Sequence, residues 1–449
     1  MKISAPFTVA AVGDIIEPQP LFSSDPRFQN LIEKIRSSDV GFANMESSLV
    51  DFRTFQGAVA GTEAPLEVGA AIKAMGITVM NHANNHAFDG GVAGMFSTDE
   101  ALDRNGIAHA GTGRNLQEAR AARFAETPKG RVGVVGMFSL DDSSNYGPSY
   151  ARTEASYRNG NLGGAPGVNP LHLTAFHVVS ADHLQTLRSI SQSALGQPES
   201  GASPAPDGSR QRVKFFEEWY QAGSDPGSLS YEMNPADERN ILDSIRNGKV
   251  YADFMIATIH THQTTRFLRQ GGAGPWDPAP PGQTKEVPDH TATDFLVKLA
   301  HDCIDNGADM FVAHGVHALG GIEIYKGKPV FYGVSHFVFQ FGLQFGSGYD
   351  ILANERAMSG LENDAAQETV LTTSHFEAGR LKEVRLYPVD LGGVRRPISQ
   401  MGIPLTPAPE DAQRILKALQ EYSKPFGTRI SIEDNVGVIR IGPDSRGRD

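Results

Sequence analysis

One cysteine, Cys303, occurs among 449 residues, so no disulfide can close within the chain, and such sparse use suits a reducing compartment. No apolar run approaches the roughly 18 residues that would suggest a membrane helix, so no membrane span is expected. Basic residues are outnumbered, 40 Lys and Arg against 52 Asp and Glu, for a net charge of −12. Phosphate backbones require concentrated cations, so nucleic acid is not an expected partner. The same charge disfavours long-range capture of any polyanion. The opening MKISAPFTVAAVGD has one lysine before a short apolar run that leads straight into Gly-Asp. It reads as a first strand and not as a secretory signal, and the cytoplasm is the expected location.

What is present fits a large globular chain rich in loops: 40% hydrophobic residues, 20% charged residues and 48 glycines. Strand-like and helix-like segments alternate early. FTVAAVGD (7–14) and VGFANMES (40–47) read as buried strands, with FQNLIEKIRSS (28–38) helical between them. PLEVGAAIKAMG (65–76) opens on Pro and closes on Gly, the usual helix asymmetry. ITVMNHANNH is strand into loop, GVAGMFSTDEALDRNG (91–106) helix, and RVGVVGMFS (131–139) strand. This rhythm predicts a mostly buried sheet covered by helices.

Between 141 and 249 the rhythm is lost, and the stretch reads as an insertion or lid, with linker-like GQPESGASPAPDGSR at 196–210. YADFMIATIHTHQ (251–263) restores a strand, and residues 271–289 form a Pro/Gly-rich loop containing Trp276. TDFLVKLAHDCIDNG (293–307) is an amphipathic helix in which Cys303 is expected to be packed, not nucleophilic. A strand, ADMFVAHGVHALGG, and a hairpin, GIEIYKGKPVFYGVSHFVF, follow. Residues 346–449 read as an α+β extension around helix EDAQRILKALQEYS. The whole is expected to be one domain spanning 1–449.

Apolar strands repeatedly end in metal-ligand residue types. Asp14 follows TVAAVG, Asn44 and Glu46 follow VGFA, and Asn85 and His86 come after ITVM. His260 and His262 follow FMIATI, and His314 and His317 follow MFVA. Each has an ordinary reading: Gly-Asp is a common turn, and Asn44 and Glu46 could satisfy loop backbone. His82 and His86 have i, i+4 spacing, but the preceding strand argues against a helix there. Ligands gather outside the carboxyl ends of strands in α/β sheets, so five such ends point to one shared cleft. Carboxylate, amide and imidazole together suit a divalent Zn, Mn, Fe or Co ion.

GD at 13–14, N-x-E at 44–46, ANNH with Asp89 at 83–89, strand-end His260, HG-x-H at 314–317 and GIEIYKGKPVFY together resemble the CapA family. PGVNP (166–170) and FGTRISIEDNVGVI extend the resemblance over nearly the whole chain. Founding members of that family serve poly-γ-glutamate capsule biosynthesis, and some relatives are metal-dependent peptide epimerases. The resemblance implies a calcineurin-like metallophosphoesterase fold, an α/β sandwich flanked by helices. It also implies Glu46 in the position that bridges two metals, Asn85 and His86 in place of the Asn-His pair, His260 as the lone His, and His314 and His317 as the final pair.

The D-x-H histidine of the metallophosphoesterases is missing here, because Ile15 and Ile16 follow Asp14. One metal site therefore retains Glu46, Asn85, His260 and His314, and the other loses a ligand. A single ion is the favoured expectation, with Asp14, His317 and His86 as acid/base groups. The alternative is a second, weaker ion on Asp14, Glu46 and His317. Thr261-His262 stands where many relatives have Trp-Gly, and Ser335-His336 where they have a GNF segment. His262 and His336, with Asn44 and Asp89, are assigned to substrate contact or an additional site; Asp89 either orients His86 or caps the next helix. The expected reaction is amide hydrolysis or Cα epimerisation of a small peptide or polyglutamate-like substrate. The alternatives are a phosphoesterase and a non-catalytic accessory protein of capsule synthesis.

Overall fold

The strands that hold the apolar runs are buried on both faces, which is why they read as nearly continuous hydrophobic sequence. In the strand Phe7–Ile16, Val9 and Ala11 enter one hydrophobic layer while Ala10 and Val12 enter another. This is the period-two alternation of extended chain. Phe254–His260 divides likewise: Phe254 and Ile256 join the layer of Val9, and Met255, Ala257 and Ile259 face a third. Three core layers thus separate helices, sheet, sheet and helices. The structure, a computed structural model, describes residues 1–57, 62–141, 156–158, 161–194, 211–216, 218–266, 290–340 and 364–442. The 196–210 stretch and the Pro/Gly-rich loop 271–289 with Trp276 lie outside the described residues.

One sheet runs in the order Ser431–Glu433, Val436–Arg440, Arg380–Asp390, Glu368–Glu377, Phe7–Ile16, Val40–Met45, Val79–Asn81 and Ala108–Ala110, with His336–Phe339 also paired to Phe7–Ile16. The other centres on Gly130–Asp141, Phe254–His260 and Met310–His314, which are mutually parallel. Helices Pro26–Arg36 and Glu67–Ala74 cover the first sheet through Leu31, Ile32, Ile35, Val68 and Ile72. Asp25, just before Pro26, caps the former by accepting from the Arg27 amide. Helices Pro235–Tyr251 and Asp294–Asp305 cover the second through Ile241, Ile245, Phe295, Leu299 and a fully buried Cys303. Burial pushes the Cys303 thiol pKa up, away from the reactive thiolate. This is the sandwich flanked by helices that the resemblance implies. Among the described residues no helix is long and apolar enough to cross a membrane.

The described part of 141–249 extends the second sheet. Pro170–Val179 pairs directly with Gly130–Asp141, and Glu218–Ala222 and Leu229–Met233 flank it. The tail is equally integral, since Glu368–Glu377 lies antiparallel beside Phe7–Ile16.

Parallel registers bring the strand ends level. Asp14 stands opposite Asn44 and His336, Asn44 opposite Asn81, and His260 opposite His314. Residues remote in sequence therefore meet at one end of the sandwich.

Candidate metal centre

Simple alternation from Val9 and Ala11 would aim residue 13, not 14, toward the space between the sheets. The register shifts between Ala11 and Asp14, and that irregularity sends the Asp14 side chain toward the gathered histidines. Gly13 is required beside it, because a Cβ there would lie 2.1 Å from the Ser335 carbonyl oxygen. That carbonyl accepts a hydrogen bond from the Asp14 amide at 3.0 Å and leads into His336. In the His-Gly-x-His turn, Gly315 has φ +95°, and a Cβ would come within 2.8 Å of the His260 ring. His317 and Ser335 both adopt left-handed φ near +55°, costly for non-glycine residues and common at functional sites.

Asp14 is fully buried and ringed by imidazoles. His314 Nδ1 lies 3.2 Å and His260 Nδ1 3.9 Å from Oδ1; His317 Nδ1 lies 3.7 Å and His336 Nδ1 3.9 Å from Oδ2. Asn44 donates through Nδ2 to Asp14 Oδ1 at 2.8 Å and sits 3.1 Å from His260 Nδ1. Its orientation is fixed from behind, where Asn81 and Asn84 donate to its Oδ1 at 2.8 and 3.3 Å. His260 Nε2 lies 3.0 Å from His262 Nε2 and 3.5 Å from Glu46 Oε1.

Glu46 belongs to two potential ligand sets. Asp14, Glu46, His317 and His336 form one, Glu46, His260 and His262 the other, with ligand atoms in each set within 4.8 Å of one another. Both Glu46 oxygens are buried and, among the described residues, accept no hydrogen bond; the same is true of Asn85 Oδ1. A buried carboxylate with no partner is strongly disfavoured unless it is neutralised or binds a cation. The donor set therefore fits a divalent metal.

The electrostatics agree. Burial opposes ionisation of Asp14, but its contacts with His314 and His317 and the nearby His260 outweigh it and hold its pKa well below the ordinary range. Glu46 is raised well above that range, first by burial and then by the charge of Asp14. Burial, followed by neighbouring imidazoles, holds His262 and His336 well below their usual value, and burial holds His260 there against the opposing charge of Asp14. Neutral imidazoles are the form that ligates metals.

The structure thus brings together Asp14, Asn44, Glu46, His260, His262, His314, His317 and His336. Asn85 sits between Asn84, which holds Asn44 and the Met45 carbonyl, and His86. Asp89 Oδ2 lies 2.7 Å from His86 Nδ1 and accepts from the Thr62 hydroxyl. It orients His86 and does not cap the following helix, whose first turn has no side-chain cap. His82 turns elsewhere, to Asp99. Asn81, which was not singled out from the sequence as a site residue, supports Asn44 beneath the centre; its place at the end of an apolar strand was the available signal. Phe138, also overlooked, walls the rings of His260 and His262, with centroids 5.9 and 6.5 Å away.

Sequence comparison gives this geometry a context. The profile of the family described as "Bacterial capsule synthesis protein PGA_cap" matches residues 8–268 and 287–341. The chain belongs to this family. Two uncharacterized proteins of Sinorhizobium fredii are each 36% identical over 97% of this chain and 93% of their own length. A PGA biosynthesis protein CapA of Bacillus subtilis is 24% identical over 71% of this chain and 58% of its own. A capsule biosynthesis protein CapA of Bacillus anthracis is 27% identical over 29% of this chain and 34% of its own. The PGA_cap segments contain all the residues gathered around Asp14 and Glu46. They do not reach Glu368–Glu377, the strand that supports Phe7–Ile16.

Proposed function

We propose that this PGA_cap protein is a metal-dependent hydrolase that cleaves an amide in a peptide- or polyglutamate-type substrate. The observation that carries this reading is Glu46, whose two oxygens accept no hydrogen bond among the described residues and lie between the His260–His262 pair and the His317–His336 pair. Asp14, Glu46, His317 and His336 would hold one divalent ion, and Glu46, His260 and His262 another, with His314 and Asn85 beside them. His336 takes the role of the histidine missing after Asp14, and the reading moves from one ion to two. Mn, Zn, Fe or Co suits these donors. Such ions supply Lewis acidity toward a carbonyl and lower the pKa of bound water.

The chain's own groups divide the remaining work. Asn44 holds Asp14 and His260 in place through a single amide. Asp89 orients His86 through Nδ1, and an imidazole so held would serve as the proton donor to a departing amine. The substrate class rests on the family resemblance and on the PGA biosynthesis for which the Bacillus subtilis relative is named. The single buried cysteine supports a cytoplasmic location.

A second reading keeps one ion and leaves Asp14 and His317 as an acid/base pair, favoured by their 3.7 Å separation. It leads to Cα epimerisation. The equivalents of metal lost from untreated protein on Glu46→Gln substitution separate the two: a loss of two supports hydrolysis, and a loss of one supports epimerisation. Incubating a glutamyl peptide in D₂O then reads the chemistry. New amines without Cα deuterium are expected, while deuterium without cleavage would overturn the hydrolase reading. Phosphate release from nitrophenyl phosphate with added Mn²⁺, and none of amine from peptides, would instead indicate a phosphoesterase. Bound metal without either activity would point to an accessory role in capsule synthesis.

A further inference from the structure

A second histidine–carboxylate cluster is built from three other elements. His82 follows the strand Val79–Asn81, Asp99 lies on the helix Gly91–Arg104, and His109 lies in the strand Ala108–Ala110. His82 Nδ1 is 2.8 Å and His109 Nδ1 3.3 Å from the same Asp99 oxygen. One ligand atom from each of the three falls within 4.8 Å of the others. The Thr112 hydroxyl donates to the Asp99 carboxylate, 2.8 and 3.1 Å from its two oxygens. His109 Nε2 lies 3.2 Å from Asp103 Oδ1.

The pairing of His109 with Asp103 places its ring proton on Nε2 and leaves Nδ1 with a lone pair. That lone pair faces a carboxylate oxygen, and among the described residues Nδ1 has no hydrogen-bond partner. His109 is 8% exposed and His82 fully buried, so water does not readily relieve the opposition. A cation between the two groups would. A carboxylate on the far nitrogen is also the usual outer partner of a metal-bound histidine.

We infer that His82, His109 and Asp99 bind a divalent cation of the zinc or cobalt class, separately from the Glu46 centre. Two imidazoles and one carboxylate suit such borderline ions and leave a coordination position for water. Thr112 orients the carboxylate and Asp103 orients His109. The bound ion pins the helix Gly91–Arg104 to two strand ends, at the root of the 82–90 loop that presents Asn84, Asn85 and His86.

The test uses the full chain, stripped with chelator and titrated with Zn²⁺ or Co²⁺, with bound metal counted after desalting. His109→Gln is expected to lose one equivalent relative to wild type. It should lose the same equivalent again in a Glu46→Gln background, where the other centre is disabled. Asp103→Asn, at a side chain that is 75% exposed, keeps the test open if His109→Gln does not fold. It should weaken this equivalent about 10–100-fold and reduce the rise in Tm on adding Zn²⁺. Unchanged stoichiometry and affinity in Asp103→Asn and in any folded His109→Gln would overturn the site and leave a hydrogen-bonded clip.

Discussion

Asn44 could not be exchanged for a carboxylate without placing a second negative charge against Asp14. Its Nδ2 serves Asp14 and adjoins His260, while Asn81 and Asn84 dictate which way the amide faces. Asn44→Ala should leave the fold intact and weaken Mn²⁺ or Zn²⁺ binding about 10–100-fold, as loss of an outer-shell partner does. Calorimetric titration measures this; an affinity within twofold of wild type would reduce Asn44 to packing. Glu17 makes a different prediction. It is fully buried just past Phe7–Ile16, accepting from the Leu21 amide at 2.7 Å, and burial raises its pKa from the ordinary 4.5 to about 8. Its neutral form contributes stability that is complete below pH 4.5 and is lost as pH rises through about 8. Within that window the loss approaches ~1.4 kcal/mol per pH unit. Urea unfolding of Glu17→Gln should show this slope removed.

Glycines at the turns set what the strands can deliver. Gly315→Ala introduces a side chain at φ +95° and against the His260 ring. A loss of about 1–3 kcal/mol is expected, together with lower metal content; a variant with wild-type Tm and metal content would contradict this account of the His-Gly-x-His motif. The elements that carry the centre were legible because their apolar runs are buried on both faces: Phe7–Ile16 and Val40–Met45 match their sequence readings to within a few residues, while Met310–His314 stops seven residues short of the strand read through ADMFVAHGVHALGG. Pro65 was misleading. It closes the short strand Glu63–Pro65, and the helix begins at Glu67. PLHLTAFHVV, within the presumed insertion, gave no strong signal because Pro170–Val179 is only partly buried along its length. The contact of His336 with Asp14 was not legible either. It depends on pairing between residues more than 300 positions apart and on a register shift that no local pattern announces.

The sandwich closes only when both ends of the chain contribute. Glu368–Glu377 covers one edge of Phe7–Ile16 and Val40–Met45 the other. A chain ending at residue 363 should therefore be insoluble or lack a cooperative unfolding transition by circular dichroism, although it retains the matched family segments. A soluble, cooperatively unfolding fragment would show the tail to be dispensable. The net charge of −12 adds an expectation about substrate. If polyglutamate is cleaved, repulsion opposes its approach, and salt shortens the range of that repulsion to about 8 Å at physiological strength. KM should fall as salt is raised and kcat should change little; a KM that rises with salt would indicate a locally basic entrance.

The central position of Phe7–Ile16 also determines when the centre can come into being. The antiparallel neighbour of this strand is made some 360 residues after it, as the Thr8–His375 register records. Until then one long edge has no partner, and His336 is not yet available to Asp14. Folding dominated by such distant pairings is slow and exposes strand edges in the meantime. If the centre binds metal as proposed, loading waits until both of these distant segments have been made and paired.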